Sequence, residues 1–198
     1  MYTVIGTVKS RAARVIWMLE ELGVPFEHVA ATPRSAGVVE FNPAGKIPVL
    51  IEDGTPITDS TAILQYLADR HGRFTHPAGT LPRARQDGLT HFLLDEFDAA
   101  LWMAARHSFV LPEEIRQASI KDSLKWEFER SQHTLAQRIG EGPFVMGAVM
   151  TVPDFILTHC GTWALSAKFP IVERRLSDYL DRMRARPAYR RMLDRASA

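Results

Sequence analysis

A small α/β unit followed by an all-helical unit is the fold class this sequence predicts, on three observations. Strand-length apolar runs alternate with helical stripes only within residues 1–75. Residues 76–85 carry Pro77, Gly79 and Pro82 with no apolar periodicity, as a linker does, and residues 86–198 show helical spacing alone. The chain has 198 residues, 46% of them hydrophobic and 24% charged, a composition that supports a sizeable core and excludes global disorder.

Each element follows in order. Tyr2–Ile5 is a β-branched run closed by Gly6. Ala12, Val15, Ile16, Leu19 and Leu22 then fall at helical spacing, with Ser10 placed to cap the start and Gly23 to end the helix. Phe26–Ala30 is a possible second strand, and Pro48–Ile51 another, bounded by Asp53-Gly54. A Gly54-Thr55-Pro56 turn leads to Asp59-Ser60, where a helix carrying Ala62, Ile63, Tyr66 and Leu67 begins and runs to Gly72. Past the linker, Leu89, Phe92, Leu93, Phe97 and Leu101 form one helical stripe. Ile120, Leu124, Phe128, Ser131, Leu135 and Ile139 form a second. Thr151 and Asp154 spell a capping box, and Met150 and Phe155 have the spacing of a hydrophobic staple, so a helix starts near Val152.

Charge narrows the function classes. Lys and Arg number 24 against 23 Asp and Glu, a net charge of +1, so no general attraction to nucleic acid or to a membrane surface is expected. Residues 168–198 are locally basic, 9 against 4, but Glu173, Asp178 and Asp181 interleave with the arginines as on a solvated helix face. Apolar stretches are short, the first ten residues lack a leader pattern, and the single cysteine, Cys160, has no partner for an internal disulfide; a cytoplasmic protein is expected.

Candidate chemistry gathers in the α/β unit. At Thr7-Val8-Lys9-Ser10 a strand gives way to a helix, so a hydroxyl, an ammonium and helix N–H groups meet at a positive dipole end; on this feature alone a plain N-cap is the favoured reading of Ser10. Pro48 opens a strand, and a cis Ile47–Pro48 bond would turn the Ile47 backbone groups outward to pair with an extended peptide. Asp59-Ser60 is a further helix start, a cap or a carboxylate site. In the helical part Trp102, Arg106, His107 and Trp163 are candidate pocket residues, although aromatics at helical spacing more often build core. His159 and Cys160 are adjacent on a helix and project in different directions, so no metal site is expected, and Cys160 reads as buried and inert.

Four stretches, Ser10–Glu27, Asn42-Pro-Ala-Gly-Lys-Ile-Pro-Val-Leu50, Asp59-Ser-Thr-Ala-Ile63 and Met150-Thr-Val-Pro-Asp154, resemble the signatures of cytosolic glutathione transferases. The resemblance implies a thioredoxin-like βαβαββα domain over residues 1–75, a linker over 76–85, and an all-α helical-bundle domain over 86–198 that contributes the electrophile site. It also implies a homodimer, with glutathione as co-substrate and no other cofactor. It implies that Ile47 pairs with the cysteinyl part of glutathione beside the family's cis proline, Pro48. Asp59 and Ser60 would hold the γ-glutamyl end, and Lys46 would lie near the glycyl end. Asp59 departs from the family, which more often has Glu there. The tyrosine-type and cysteine-type active sites do not fit, since Ile5 stands at the tyrosine position and the required Cys is missing. Lys9 falls at the usual Ser or Cys position and Ser10 at the second of two adjacent serines in the zeta-like class. Ser10 is thus the expected thiol activator, with Thr7 and Lys9 in reserve. Thiol conjugation is the implied activity; the rival readings are a glutathione-dependent disulfide reductase or peroxidase, and a non-catalytic binding protein.

Overall fold

Burial of Tyr2, Val4 and Ile5 makes β1 (Tyr2–Ile5) an inner strand with partners on both sides. The computed structural model describes residues 1–196, and β1 pairs in parallel with β2 (Phe26–Val29) through the crossover helix α1 (Ala12–Leu22). On its other side β1 pairs antiparallel with β3 (Val49–Glu52), which pairs antiparallel with β4 (Thr55–Thr58), for a sheet order β2-β1-β3-β4. The short helix α2 (Ala36–Val39) precedes β3, and α3 (Ser60–His71) follows β4. This is the expected βαβαββα order. Ile5, Val38 and Val49 pack as one cluster between sheet and α2.

Thr55 and Pro56, expected within a turn, instead open strand β4. The turn itself is Asp53-Gly54, both at positive φ between the paired residues Glu52 and Thr55, as a two-residue hairpin requires. Pro56 is tolerated because β4 is an edge strand. The linker is also shorter than residues 76–85. Helix α4 (Leu81–Leu93) begins at Leu81, with Pro82 in its first turn and the Thr80 hydroxyl accepting from the Arg83 N–H at 3.3 Å.

The chain divides into two units, Met1–Thr75 with the described residues from Met183 onward, and His76–Arg182. The expected helical domain over 86–198 therefore loses its final helix to the sheet unit. That helix, α9 (Pro187–Asp194), docks on α1: Tyr189 meets Trp17 edge-on at 5.1 Å. Arg186 donates twice to Glu21, at 2.6 and 2.8 Å, while Arg191 and Arg195 each reach Glu20 at 2.8 Å. The basic tail, read as a solvated face, thus turns part of its charge inward onto two glutamates.

In the second unit α4 is continued by a π-helical turn, Leu94–Asp98, into α5 (Ala99–Ala105), and a second π turn follows at Arg106–Val110. The cause is legible in the spacing. Leu89, Leu93, Phe97 and Leu101 recur every four residues, and each four-residue step overshoots an ideal α-helical turn by about 40°. A wider turn cancels that drift, and all four side chains are buried. Phe97 packs edge-on against Phe128 of α6 (Ile120–Arg138) at 5.0 Å, and Phe128 against Phe169 at 5.5 Å. Helices α7 (Val152–Ser166) and α8 (Arg174–Arg184) complete the series. Among the described residues no helix is long and apolar enough to cross a membrane.

Helix α7 begins with the expected capping box. Asp154, fully buried, accepts from the Thr151 N–H at 2.7 Å, the Val145 N–H at 2.9 Å and the Tyr179 hydroxyl at 2.9 Å. It therefore joins the helix start to the preceding loop and to α8. Asp154→Ala strands those buried donors and is expected to lower folding stability by about 3 kcal/mol or more, read as a fall in denaturation midpoint. Burial pushes the Asp154 carboxyl up to about 6, against hydrogen bonds that pull it down. Because the folded state holds this proton more tightly than the unfolded chain, the added stability is full below about pH 4 and lost as pH rises through the folded value. The stability gap between wild type and Asp154→Ala should accordingly be wider at pH 4.5 than at pH 7.5; a gap that widens with pH would reverse the assignment.

Candidate functional site

Strand register places the candidate residues of the first unit at one edge of the sheet. Ile5 pairs with Val49, and Val49 pairs with Thr58. The end of β1, the start of β3 and the end of β4 thus form one row. Immediately beyond that row come Gly6–Ser10, Lys46–Pro48 and Asp59-Ser60.

Gly6 closes the distance between them. A Cβ placed there would lie 2.9 Å from the Ala12 Cβ and 3.2 Å from the Ile47 Cβ, and its φ of +146° is one that side-chain-bearing residues rarely adopt. The glycine lets strand end, helix start and the Ile47 loop approach one another. His28 Nε2 holds the Gly6 carbonyl at 2.7 Å, and the Gly6 N–H donates to Val29 at 3.0 Å.

Each predicted residue can now be placed. The Ser10 hydroxyl donates to the Thr7 carbonyl at 2.7 Å and accepts from the Ala12 N–H at 3.1 Å, so it closes the first turn ahead of α1. Lys9 is exposed and Thr7 half-buried. The Ile47–Pro48 bond is cis. Asn42 shapes the loop before it: its side-chain amide donates to the Lys46 carbonyl at 2.8 Å and its side-chain oxygen accepts from the Ala44 N–H at 3.1 Å. Lys46 is exposed.

At the third position Asp59 caps α3, its Oδ1 accepting from the Thr61 N–H at 2.9 Å and the Ala62 N–H at 3.0 Å. Its backbone sits at φ 71°. Ser60 is buried, and its hydroxyl oxygen accepts from Arg14 Nη1 at 3.3 Å. Arg14 was not anticipated. It is fully buried on α1 and joins the α1 and α3 starts beneath the row of candidate residues. A signal was present, since Arg14 is the one charged residue in the run Ala12–Leu19. Gly6 was read only as a strand end, because close approach of distant segments leaves no local pattern.

In the helical unit, Trp102 lies on α5 with Arg106 and His107 on the π turn that follows, all half-buried. His107 Nδ1 accepts from the Gln117 N–H at 3.0 Å, which fixes its protonated nitrogen as Nε2. Trp163, on α7, meets His159 edge-on at 5.9 Å. Cys160 is fully buried, as expected. Although His159 and Cys160 are consecutive on α7, their ligand atoms and a carboxylate oxygen of Asp98 all lie within 4.8 Å of one another.

Residues 10–70 match the family profile of the glutathione S-transferase N-terminal domain. Glutathione S-transferase 3 of Schizosaccharomyces pombe is 36% identical over 74 residues, 35% of this chain; the alignment spans only 30% of that relative's length. Glutathione S-transferase U19 of Arabidopsis thaliana is 29% identical over 161 residues, covering 79% of this chain and 67% of the relative. Among solved structures, a sphingomonad glutathione S-transferase complexed with glutathione shares the fold with a TM-score of 0.83 at 22% identity, covering 98% of each chain.

The capping of α3 gives a stability test. Asp59→Ala removes the cap and leaves Ala at positive φ, and should cost about 1–2 kcal/mol, whereas Asp59→Gly relieves the backbone and should cost less. Denaturant midpoints that rank Gly below Ala would contradict this account.

Proposed function

We propose that the chain belongs to the cytosolic glutathione transferase family, whose N-terminal domain profile residues 10–70 match, and that it activates the thiol of glutathione for attack on small electrophiles. The observation that supports this best is the single row Ile5–Val49–Thr58, beyond which a cis-proline loop and two helix starts stand together. Extended glutathione would pair with the Ile47 backbone beside Pro48. Its γ-glutamyl carboxylate would take the Ser60 hydroxyl, which buried Arg14 holds in place and biases toward anions. Asp59 would meet the ligand's amine and Lys46 its glycyl carboxylate.

The chemical demand on the thiol is modest. A free thiol near pKa 8.5 is a few per cent thiolate at neutral pH, and two units of depression, about 2.7 kcal/mol, make it mostly thiolate. The thiol proton leaves to solvent, the sulfur lone pair forms the new bond to the electrophilic atom, and the displaced group or π electrons depart. Ser10 is the proposed activator. To donate to sulfur its hydroxyl must turn away from the Thr7 carbonyl that it now serves. Lys9 and Thr7 stand in reserve. The second substrate is proposed to lie against Trp102, Arg106, His107 and Trp163. A cytoplasmic homodimer, with no cofactor beyond the co-substrate, completes this reading.

One observation favours a non-catalytic binding protein: Ser10 is already engaged in the turn, and Lys9 occupies the usual position of the activating residue. The readings separate experimentally. Ser60→Ala should weaken glutathione binding by about 1–2 kcal/mol in calorimetry; unchanged affinity removes Ser60 from the site. Ser10→Ala should leave binding nearly intact, raise the pKa of bound thiol and slow conjugation of chlorodinitrobenzene roughly ten- to a hundredfold at neutral pH, a loss that shrinks at higher pH. If Ser10 only shapes the turn, its removal costs about 0.5–2 kcal/mol of stability and leaves the thiolate absorbance titration unmoved. Glutathione binding with no turnover of chlorodinitrobenzene, disulfide or hydroperoxide substrates would select the binding protein.

A further inference from the structure

We propose that Asp98, His159 and Cys160 form a binding site for a zinc-type divalent ion inside the helical unit. The three side chains offer a carboxylate oxygen, an imidazole nitrogen and a sulfur whose ligand atoms all lie within 4.8 Å of one another. Cys160 Sγ stands 3.9 Å from Asp98 Oδ2. Zinc bonds of about 2.0 Å to oxygen and 2.3 Å to sulfur, at a tetrahedral angle, set those two atoms about 3.5 Å apart. That pair is long for a firm hydrogen bond and needs only a few tenths of an ångström of movement, while the imidazole nitrogen, within 4.8 Å of both, closes the remaining gap of about 1 Å by side-chain rotation.

The backbone accounts for this convergence. Asp98 ends the π-helical turn Leu94–Asp98, whose wider winding turns it inward, where it is 7% exposed. His159 and Cys160 are consecutive on α7, which packs against both the π turn and α5. Cys160 lies at the closed end of the group and half-buried His159 at its more open side, with the edge-on Trp163 fixing the imidazole plane. A mixed sulfur, nitrogen and oxygen donor set suits zinc over magnesium or calcium, which take oxygen ligands. Three protein ligands leave a fourth position for water. On binding, the Cys160 thiol proton leaves to solvent, and thiolate and carboxylate together neutralise the ion's two charges.

Cobalt(II) provides a direct test, because Cys160 is the chain's single cysteine and any sulfur-to-cobalt charge-transfer band must arise from it. Tag-free, reduced protein treated with chelator and then titrated with Co2+ should bind one ion per chain. The complex should show that near-ultraviolet band together with intense visible absorption of tetrahedral cobalt, both bleached by one equivalent of Zn2+. Zn2+ should raise the thermal midpoint of wild type and not of Cys160→Ser. Asp98→Asn and His159→Gln should each weaken zinc affinity at least tenfold in competition with a chromophoric chelator. Absence of the band in wild type, or cobalt binding without it, overturns the proposal. So does a Cys160→Ser protein that binds zinc as tightly as wild type. Should the variants fail to fold, the wild-type cobalt spectrum alone decides.

Discussion

Antiparallel pairing of β1 with β3 is the constraint on which the first unit depends. Because those strands run in opposite directions, the segment that leaves β1 and the segment that enters β3 must meet at the same edge, and the hairpin to β4 brings the entrance of α3 there as well. Three stretches separated by tens of residues are thereby placed side by side without any direct bond between their functional side chains. Gly6 permits the closest approach, and the buried pair Arg14–Ser60 holds the two helix starts together from below. The site is consequently built on a sheet and two helix ends, elements whose positions are fixed before a ligand arrives.

Helix α1 carries more than its crossover role. Its first turn borders the candidate site, its middle holds Arg14 and Trp17, and its last turn offers Glu20 and Glu21 to the arginines of α9. One element thus spans from the candidate site at one end to ion pairs at the other. Glu20 and Glu21 are largely shielded from solvent while their arginine partners are more exposed, so the arrangement is a partly desolvated network and not an isolated surface bridge.

Much of this was legible in the sequence where the determinant is local. The Gly23 and Gly72 helix ends and the Thr151–Asp154 box each depend on residues a few positions apart, and each is present. Thr55–Thr58 was hidden because a four-residue edge strand containing proline looks like a turn until its partner is known. Leu81 was hidden by the prolines that flank it, although Pro82 suits a first helical turn. The fate of α9 could not be read at all, since its docking depends on Trp17, Glu20 and Glu21 far upstream. Of the candidate site, Pro48 and the helix starts were visible, while Arg14 and Gly6 needed the three-dimensional neighbours that give them meaning. The grouping of Asp98 with His159 and Cys160 escaped because those two neighbours were weighed on their own helix, and the carboxylate that joins them stands 62 positions before Cys160 on another element.

The docking of α9 on α1 has a consequence for synthesis on the ribosome. A chain emerging from its amino end exposes the Trp17 and Glu20–Glu21 face of α1 more than 160 residues before Arg186 becomes available to cover it. The sheet unit is therefore not a self-sufficient folding segment at residue 75, and its final packing is of high contact order. Until Tyr189 arrives, the indole of Trp17 stands as an apolar face on an otherwise finished layer. Its burial is the step at which residues made early are sealed by residues made much later.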